Sequence, residues 1–207
     1  MRVLVITHPV PKDIKTFMKL EEDDFIIAVD QAVLALYKQR IPINLAVGDF
    51  DSLTNPGLLT QLNVVKLEVE KNVTDTYQAI VEAYKLNPDE VYLIGGIGGD
   101  RIEHFIAHLT LFSDFPKLRI KDEKSTLYLL EKGVHELKFL SHISFFGYPE
   151  CEISLEGFKY TLDEYKMKLY DQLGISNYLV DNTGVVTIHE GRVLVILTEK
   201  EKNKKAH

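Results

Sequence analysis

The sequence predicts an α/β N-terminal domain with a mainly parallel sheet, followed by an all-β, sandwich-like C-terminal domain. Three observations predict it. The first half alternates short, wholly apolar runs with helical periodicity, which is the grammar of a parallel sheet covered by helices. The second half carries strand patterns separated by turn residues. The change of grammar falls at a polar break near 114–124, where Asp114, Pro116 and Lys117 interrupt the apolar pattern, so the domains are set at 1–117 and 118–207.

In the first half, Val3–Ile6, Phe25–Val29, Ile43–Val47 and Val91–Ile94 are continuous hydrophobic runs rich in β-branched residues, suited to strands buried on both faces. Val64–Val69 is strand-like as well. Thr74–Leu86 places Ala79, Ile80, Ala83 and Tyr84 at helical spacing, with Thr74 as N-cap. A further helix is expected from about Arg101, carrying Phe105, Leu109 and Phe112. In the second half, Ser125–Leu130, His142–Tyr148 and Cys151–Leu155 are expected strands. Leu162–Leu173 is expected as a polar helical insertion, and Val185–Leu197 as a hairpin with Glu190-Gly191 at its tip.

Composition narrows the function classes. With 45% apolar and 27% charged residues the chain buries an ordinary globular core. A net charge of -7 argues against a nucleic-acid binder, which needs a basic stripe, but not against a small phosphate ligand bridged by metal. The single cysteine, Cys151, excludes an intramolecular disulfide and a thiolate-rich metal site. There is no apolar run of membrane-spanning length, and the first segment lacks the features of a signal peptide, so a cytoplasmic location is expected. The lysine-rich end, Lys200–His207, is expected to be solvated.

Ligands of open α/β sheets bind beyond the carboxyl ends of the strands, and the acidic residues gather there. Asp30 follows Phe25–Val29, Asp49 and Asp51 follow Ile43–Val47, and Asp75 opens the Thr74 helix. Asp49 and Asp51 are two apart, so an extended segment would point both to one side, with Phe50 turned into the core and Gly48 easing the backbone away. Clustered carboxylates repel unless a cation holds them, and Mg2+ prefers such oxygen donors while bridging to nucleotide phosphates. Asp49 and Ser52 could equally cap a turn, and Lys71, beside the cluster, could be plain surface charge. Gly95–Gly99 lets backbone N–H groups approach a phosphate, although it matches neither the dinucleotide fingerprint nor a P-loop. Arg101 adds a fixed positive charge, flanked by Glu103 and His104.

In this order the pieces resemble the thiamine pyrophosphokinases. The matching stretches are Asp30, Gly48-Asp-Phe-Asp-Ser52, Lys71-Asn-Val-Thr-Asp75, Gly96-Ile-Gly-Gly-Asp-Arg-Ile-Glu-His104, Leu155–Tyr160 and Ser176-Asn177. The chain departs from the family pattern at Gln31 and Asn72, at Asp100 (where a second loop glycine is usual), at Glu103 and at His108. The resemblance implies transfer of a diphosphate from ATP to the thiamine hydroxyl, giving thiamine diphosphate and AMP. It implies Asp49, Asp51 and Asp75 as magnesium ligands that act in catalysis with Arg101. Lys71, Thr74, Gly98, Gly99, Arg101 and His104 would bind the nucleotide; Ser176, Asn177 and Asp30 would bind substrate. It also implies a homodimer with thiamine sites between subunits. A different acceptor, such as a pterin alcohol, or a non-catalytic nucleotide or thiamine binder, are the competing readings.

Overall fold

The computed structural model describes residues 1–70 and 72–200, and divides into two compact units, Met1–Glu123 and Lys124–His207. Lys71 and the tail beyond Lys200, both singled out by the sequence, lie outside the described residues.

The first unit is built on parallel strands β1 (Arg2–Thr7), β2 (Phe25–Val29), β3 (Leu45–Gly48), β4 (Val64–Lys66), β5 (Glu90–Gly95) and β6 (Arg119–Lys121). Their order is β4-β3-β2-β1-β5-β6, every neighbouring pair parallel. Chain order therefore reverses between β1 and β5, where a crevice opens at the carboxyl ends. Val3, Leu4 and Val5 are wholly buried, as a strand covered on both faces requires. Helices α1 (Ala32–Gln39), α2 (Asp75–Lys85) and α3 (Ile102–Asp114) connect the strands. The Thr74 hydroxyl accepts from the Tyr77 N–H, so the expected N-cap of α2 is observed. The sequence reading did not foresee α1, which has only eight residues and ends where Arg40 takes a left-handed conformation.

The second unit consists of β7 (Ser125–Leu137), β8 (His142–Glu156), β9 (Leu162–Lys168) and β10 (Gly184–Thr198), paired antiparallel in the order β7-β10-β8-β9. Two expectations fail here. Leu162–Leu173 is not a helix: its first seven residues are β9, which among the described strands pairs with β8 alone and carries its charged side chains to the solvent. Val185–Leu197 is not a hairpin either. It lies within the continuous strand β10, and Gly191 marks a bulge, with φ +76° and Glu150 O only 2.3 Å from where a Cβ would stand. The His142–Tyr148 and Cys151–Leu155 segments are likewise parts of one strand, β8, and Pro149 sits where its pairing with β10 is interrupted. The bulge flips the inward parity of β10, so Val186 and Ile188 before it share one core with Val193 and Val195 after it. Cys151 is buried in the same core, and burial pushes its thiol up to about 11, which makes it unreactive.

No helix among the described residues is long and apolar enough to cross a membrane.

Candidate active site

At the β1/β5 reversal lies a cleft of about 670 Å³ within the first unit. Asp30, Asp49, Asp51, Thr74, Asp75, Gly98, Gly99, Arg101 and His104 all line it. The sequence-selected residues of the first unit that fall among the described ones therefore converge on one site.

Local conformation explains how each reaches the cleft. Asp30 leaves β2 in a left-handed conformation (φ 47°), with its N–H donating to the Val47 carbonyl. A Cβ on Gly48 would come 3.2 Å from the Asp30 backbone, so glycine is favoured here by close approach rather than by an unusual φ. The Asp49–Asp51 segment is not extended as expected. Phe50 adopts φ 59° and is only 8% exposed within the core, while the Asp51 N–H donates to Asp49 Oδ1 at 3.3 Å. The two carboxylates thus share the cleft by way of a turn pinned at Phe50, and Asp49 closes that turn as an aspartate commonly does. Asp75 is the first residue of α2, and Arg101 the N-cap of α3.

The cleft is anionic: Asp30, Asp49, Asp51, Asp75 and Asp100 face only Arg101, His8 and His104 as cationic or potentially cationic groups among its described lining. The consequence is clearest at Asp30. Burial pushes its carboxyl up, the charges of Asp49, Asp75 and Asp51 push the same way, and the Ser52 hydroxyl opposes them only in part. Asp30 Oδ1 is buried with no hydrogen-bond partner among the described residues, while Oδ2 accepts from Ser52 Oγ at 3.4 Å. Ser52 in turn accepts from Gln31 Nε2 at 2.9 Å. Among the described residues no three acidic, histidine or cysteine side chains are drawn together closely enough to enclose a metal ion by themselves.

Sequence reasoning missed Thr7, His8, Pro9, Gln31 and Thr76 as wall residues. The strand-end rule that selected Asp30 would have selected Thr7–Pro9 had the central place of β1 been known. Thr7 and Thr76 are buried and share a hydroxyl–hydroxyl bond of 2.9 Å, which ties the first turn of α2 to the end of β1. Glu103, in the first turn of α3, is not among the cleft residues.

Ser176 and Asn177 belong to the second unit. Ser176 is exposed, at φ 55°, with its N–H donating to Ser144 Oγ. Asn177 is 1% exposed and its amide is held within the fold: Oδ1 accepts from the N–H groups of Tyr160 and Tyr178, and Nδ2 donates to the Tyr160 carbonyl.

A family model described as thiamin pyrophosphokinase, catalytic domain, matches residues 18–122, which include every cleft residue except Thr7, His8 and Pro9. A second, thiamin pyrophosphokinase, vitamin B1 binding domain, matches residues 131–193. The chain belongs to the thiamin pyrophosphokinase family. It is an enzyme of the kinase class, and the family uses ATP as co-substrate. Thiamine pyrophosphokinase of Bacillus subtilis (strain 168) is 29% identical over 191 residues, covering 85% of this chain and 88% of the relative. In fold, the crystal structure of the Bacillus subtilis thiamine pyrophosphokinase superposes with TM-score 0.83 at 24% identity, covering 97% of this chain and 100% of that one. The thiamin pyrophosphokinase of Geobacillus thermodenitrificans gives TM-score 0.84 at 23% identity, covering 98% and 99%.

Proposed function

We propose that the cleft at the β1/β5 reversal is where this thiamin pyrophosphokinase binds ATP and magnesium to move a diphosphate group onto the hydroxyl of thiamine, releasing thiamine diphosphate and AMP. The observation that carries the assignment is the gathering of four selected carboxylates with Arg101 and His104 in one crevice of the catalytic-domain span.

Magnesium fits the donor set. The acidic donors are all hard oxygens, one of them, Asp30 Oδ1, is buried without a partner among the described residues, and an anionic wall would repel a triphosphate unless a cation intervened. Magnesium commonly keeps several waters and takes only one or two carboxylates together with phosphate oxygens, so it does not need a closed cage of protein donors. Asp49, Asp51 and Asp75 would share its coordination. When bound, it would supply neutralisation of the phosphate charge and make the phosphorus more electrophilic.

The chain's own groups do the rest by positioning and charge. Arg101 binds phosphate oxygens from the N-terminus of α3, with His104 one turn on. Gly98 and Gly99 allow backbone N–H groups close approach to the phosphates. Thr74, whose hydroxyl oxygen accepts the Tyr77 N–H as the cap of α2, keeps its own O–H to donate to a phosphate oxygen. Lys71 is assigned to a phosphate from its sequence context. Asp30 orients substrate, and Asp75 or Asp51 assists removal of the thiamine hydroxyl proton. The antiparallel second unit, from Lys124 onward, is the thiamine-binding domain, where Ser176 contacts thiamine and Asn177 fixes the turn that presents it. The working form is a cytoplasmic homodimer with thiamine bound between subunits.

The test is AMP and thiamine diphosphate production from ATP, Mg2+ and thiamine. Asp49→Ala and Asp51→Ala are each expected to lower kcat/KM by about a thousandfold or more. Full activity in both variants sinks the metal assignment.

A further inference from the structure

We infer that His108 is a positioning residue for the reaction: its ring clips the glycine loop to α3 and so sets the loop against the phosphates. The inference rests on reading the cleft as the nucleotide site. His108 lies on α3, four residues after His104 and therefore on the same helix face, but it is 2% exposed and does not line the cleft. Its Nδ1 stands 3.0 Å from the Gly96 carbonyl oxygen. A carbonyl only accepts, so Nδ1 carries the proton and donates. Burial pushes the imidazole below the usual histidine range, in keeping with a neutral ring.

Gly96 is held from the other side too, because its N–H donates to the Pro9 carbonyl at 3.1 Å. A Cβ there would lie 2.7 Å from the His108 ring and 2.8 Å from Thr7 Cγ2, so the loop is wedged between α3 and the end of β1. Thr7 continues the tie to Thr76 in α2. The clip holds the Gly96 carbonyl inward, toward the buried ring, while Gly98 and Gly99 face the cleft. An unheld carbonyl could swing toward the phosphates, where its partial negative charge would oppose binding.

The experiment compares His108→Leu, His108→Asn and His108→Gln in steady-state assays with ATP and thiamine varied separately. Calorimetry with a non-hydrolysable ATP analogue and Mg2+ runs beside them, and circular dichroism monitors folding. Asn places an amide N–H near the Nδ1 position; Gln places it one carbon farther out. The leucine variant is expected to raise the KM for ATP about tenfold, as loss of a buried hydrogen bond implies, with kcat falling less and the KM for thiamine unchanged. Asparagine should recover the ATP KM to within about threefold, whereas glutamine should resemble leucine. An unchanged ATP KM in the leucine variant overturns the inference, as do equal losses for asparagine and glutamine, or a parallel rise in both KM values. If leucine prevents folding, the asparagine–glutamine contrast decides alone. Failure of the wild-type enzyme to bind the analogue, or undiminished binding by Asp49→Asn, would instead bring down the reading of the cleft and the inference with it.

Discussion

Asp24 and Asp30 stand at opposite ends of the same five-residue strand, β2, and their surroundings push them in opposite directions. Asp24, at the amino end, has a side chain 1% exposed and accepts a two-point contact from Arg2, at 2.8 Å from Nε and 2.7 Å from Nη2, plus the Glu21 N–H at 2.8 Å. Burial alone would push its carboxyl up, but these bonds outweigh it and hold it below the ordinary range. Asp30, at the carboxyl end, keeps one oxygen without a partner among the described residues and faces Asp49, Asp75 and Asp51. One end of the strand pairs its charge within the fold, and the other leaves it facing the cleft among like charges. An α/β sheet separates these tasks by polarity of the strands, which is why a destabilising arrangement can be kept at one edge without endangering the other.

The contrast can be broken most forcefully at Asp24. Asp24→Asn is expected to cost about 3 kcal/mol in urea unfolding, since it strands a guanidinium that was paired to a buried carboxylate, while kcat/KM of the folded enzyme stays near wild type. The pH dependence carries the same sign. A depressed folded-state pKa contributes stability that is fully present above the unfolded value of about 3.9 and is lost as pH falls through the folded value. Wild type should therefore lose its advantage over Asp24→Asn as pH is lowered below about 4. Asp30 acts oppositely: its raised pKa weakens the fold above that value and relieves it as pH falls through it.

Ligand should sharpen the difference next. Mg2+ with an ATP analogue at about a hundred times Kd is expected to add about 2.7 kcal/mol to stability in wild type and in Asp24→Asn, but little in Asp49→Asn, as read by thermal melting with and without a chelator. A stabilisation that survives the chelator would contradict a shared metal. A smaller effect is expected for Asp30→Asn: about 1 kcal/mol of added stability together with loss of turnover, the stability–activity exchange of a functional carboxylate. Destabilisation by that substitution would show Asp30 to be structural. Smallest of all, Gln31→Ala removes only the exposed donor to Ser52 and should leave stability within about 0.5 kcal/mol, with activity falling about threefold through a looser Ser52–Asp30 contact. Unaltered kinetics would remove Gln31 from the site.

What could be read in the sequence follows the range of the forces involved. β1, β2 and β5 were legible because burial on both faces writes an unbroken apolar run, and the Thr74 cap because its partner is three residues away. The carboxylates were legible because strand ends are local features. Contacts across long stretches of chain were not: Gln31 to Ser52 spans 21 positions and Thr7 to Thr76 spans 69. In the second unit, a glycine with positive φ at Gly191 reads the same whether it turns a hairpin or relieves a bulge, and only the pairing of β10 with both β7 and β8 tells them apart. β9 hid for a related reason, because an outer strand need bury only one face and its charged residues mimic a solvated helix.

Phe50 carries a consequence beyond its place in the core. It is anchored between the two carboxylates it separates, with its ring among Leu53, Ala46 and the rest of the interior. If Asp49 and Asp51 hold the metal as proposed, they are thus arranged when the protein folds, and the entropy of bringing them together is not lost again in each catalytic cycle. A floppy acidic loop with the same residues would have to be ordered at every encounter with substrate, and part of the binding energy would go to that ordering instead of to the transition state.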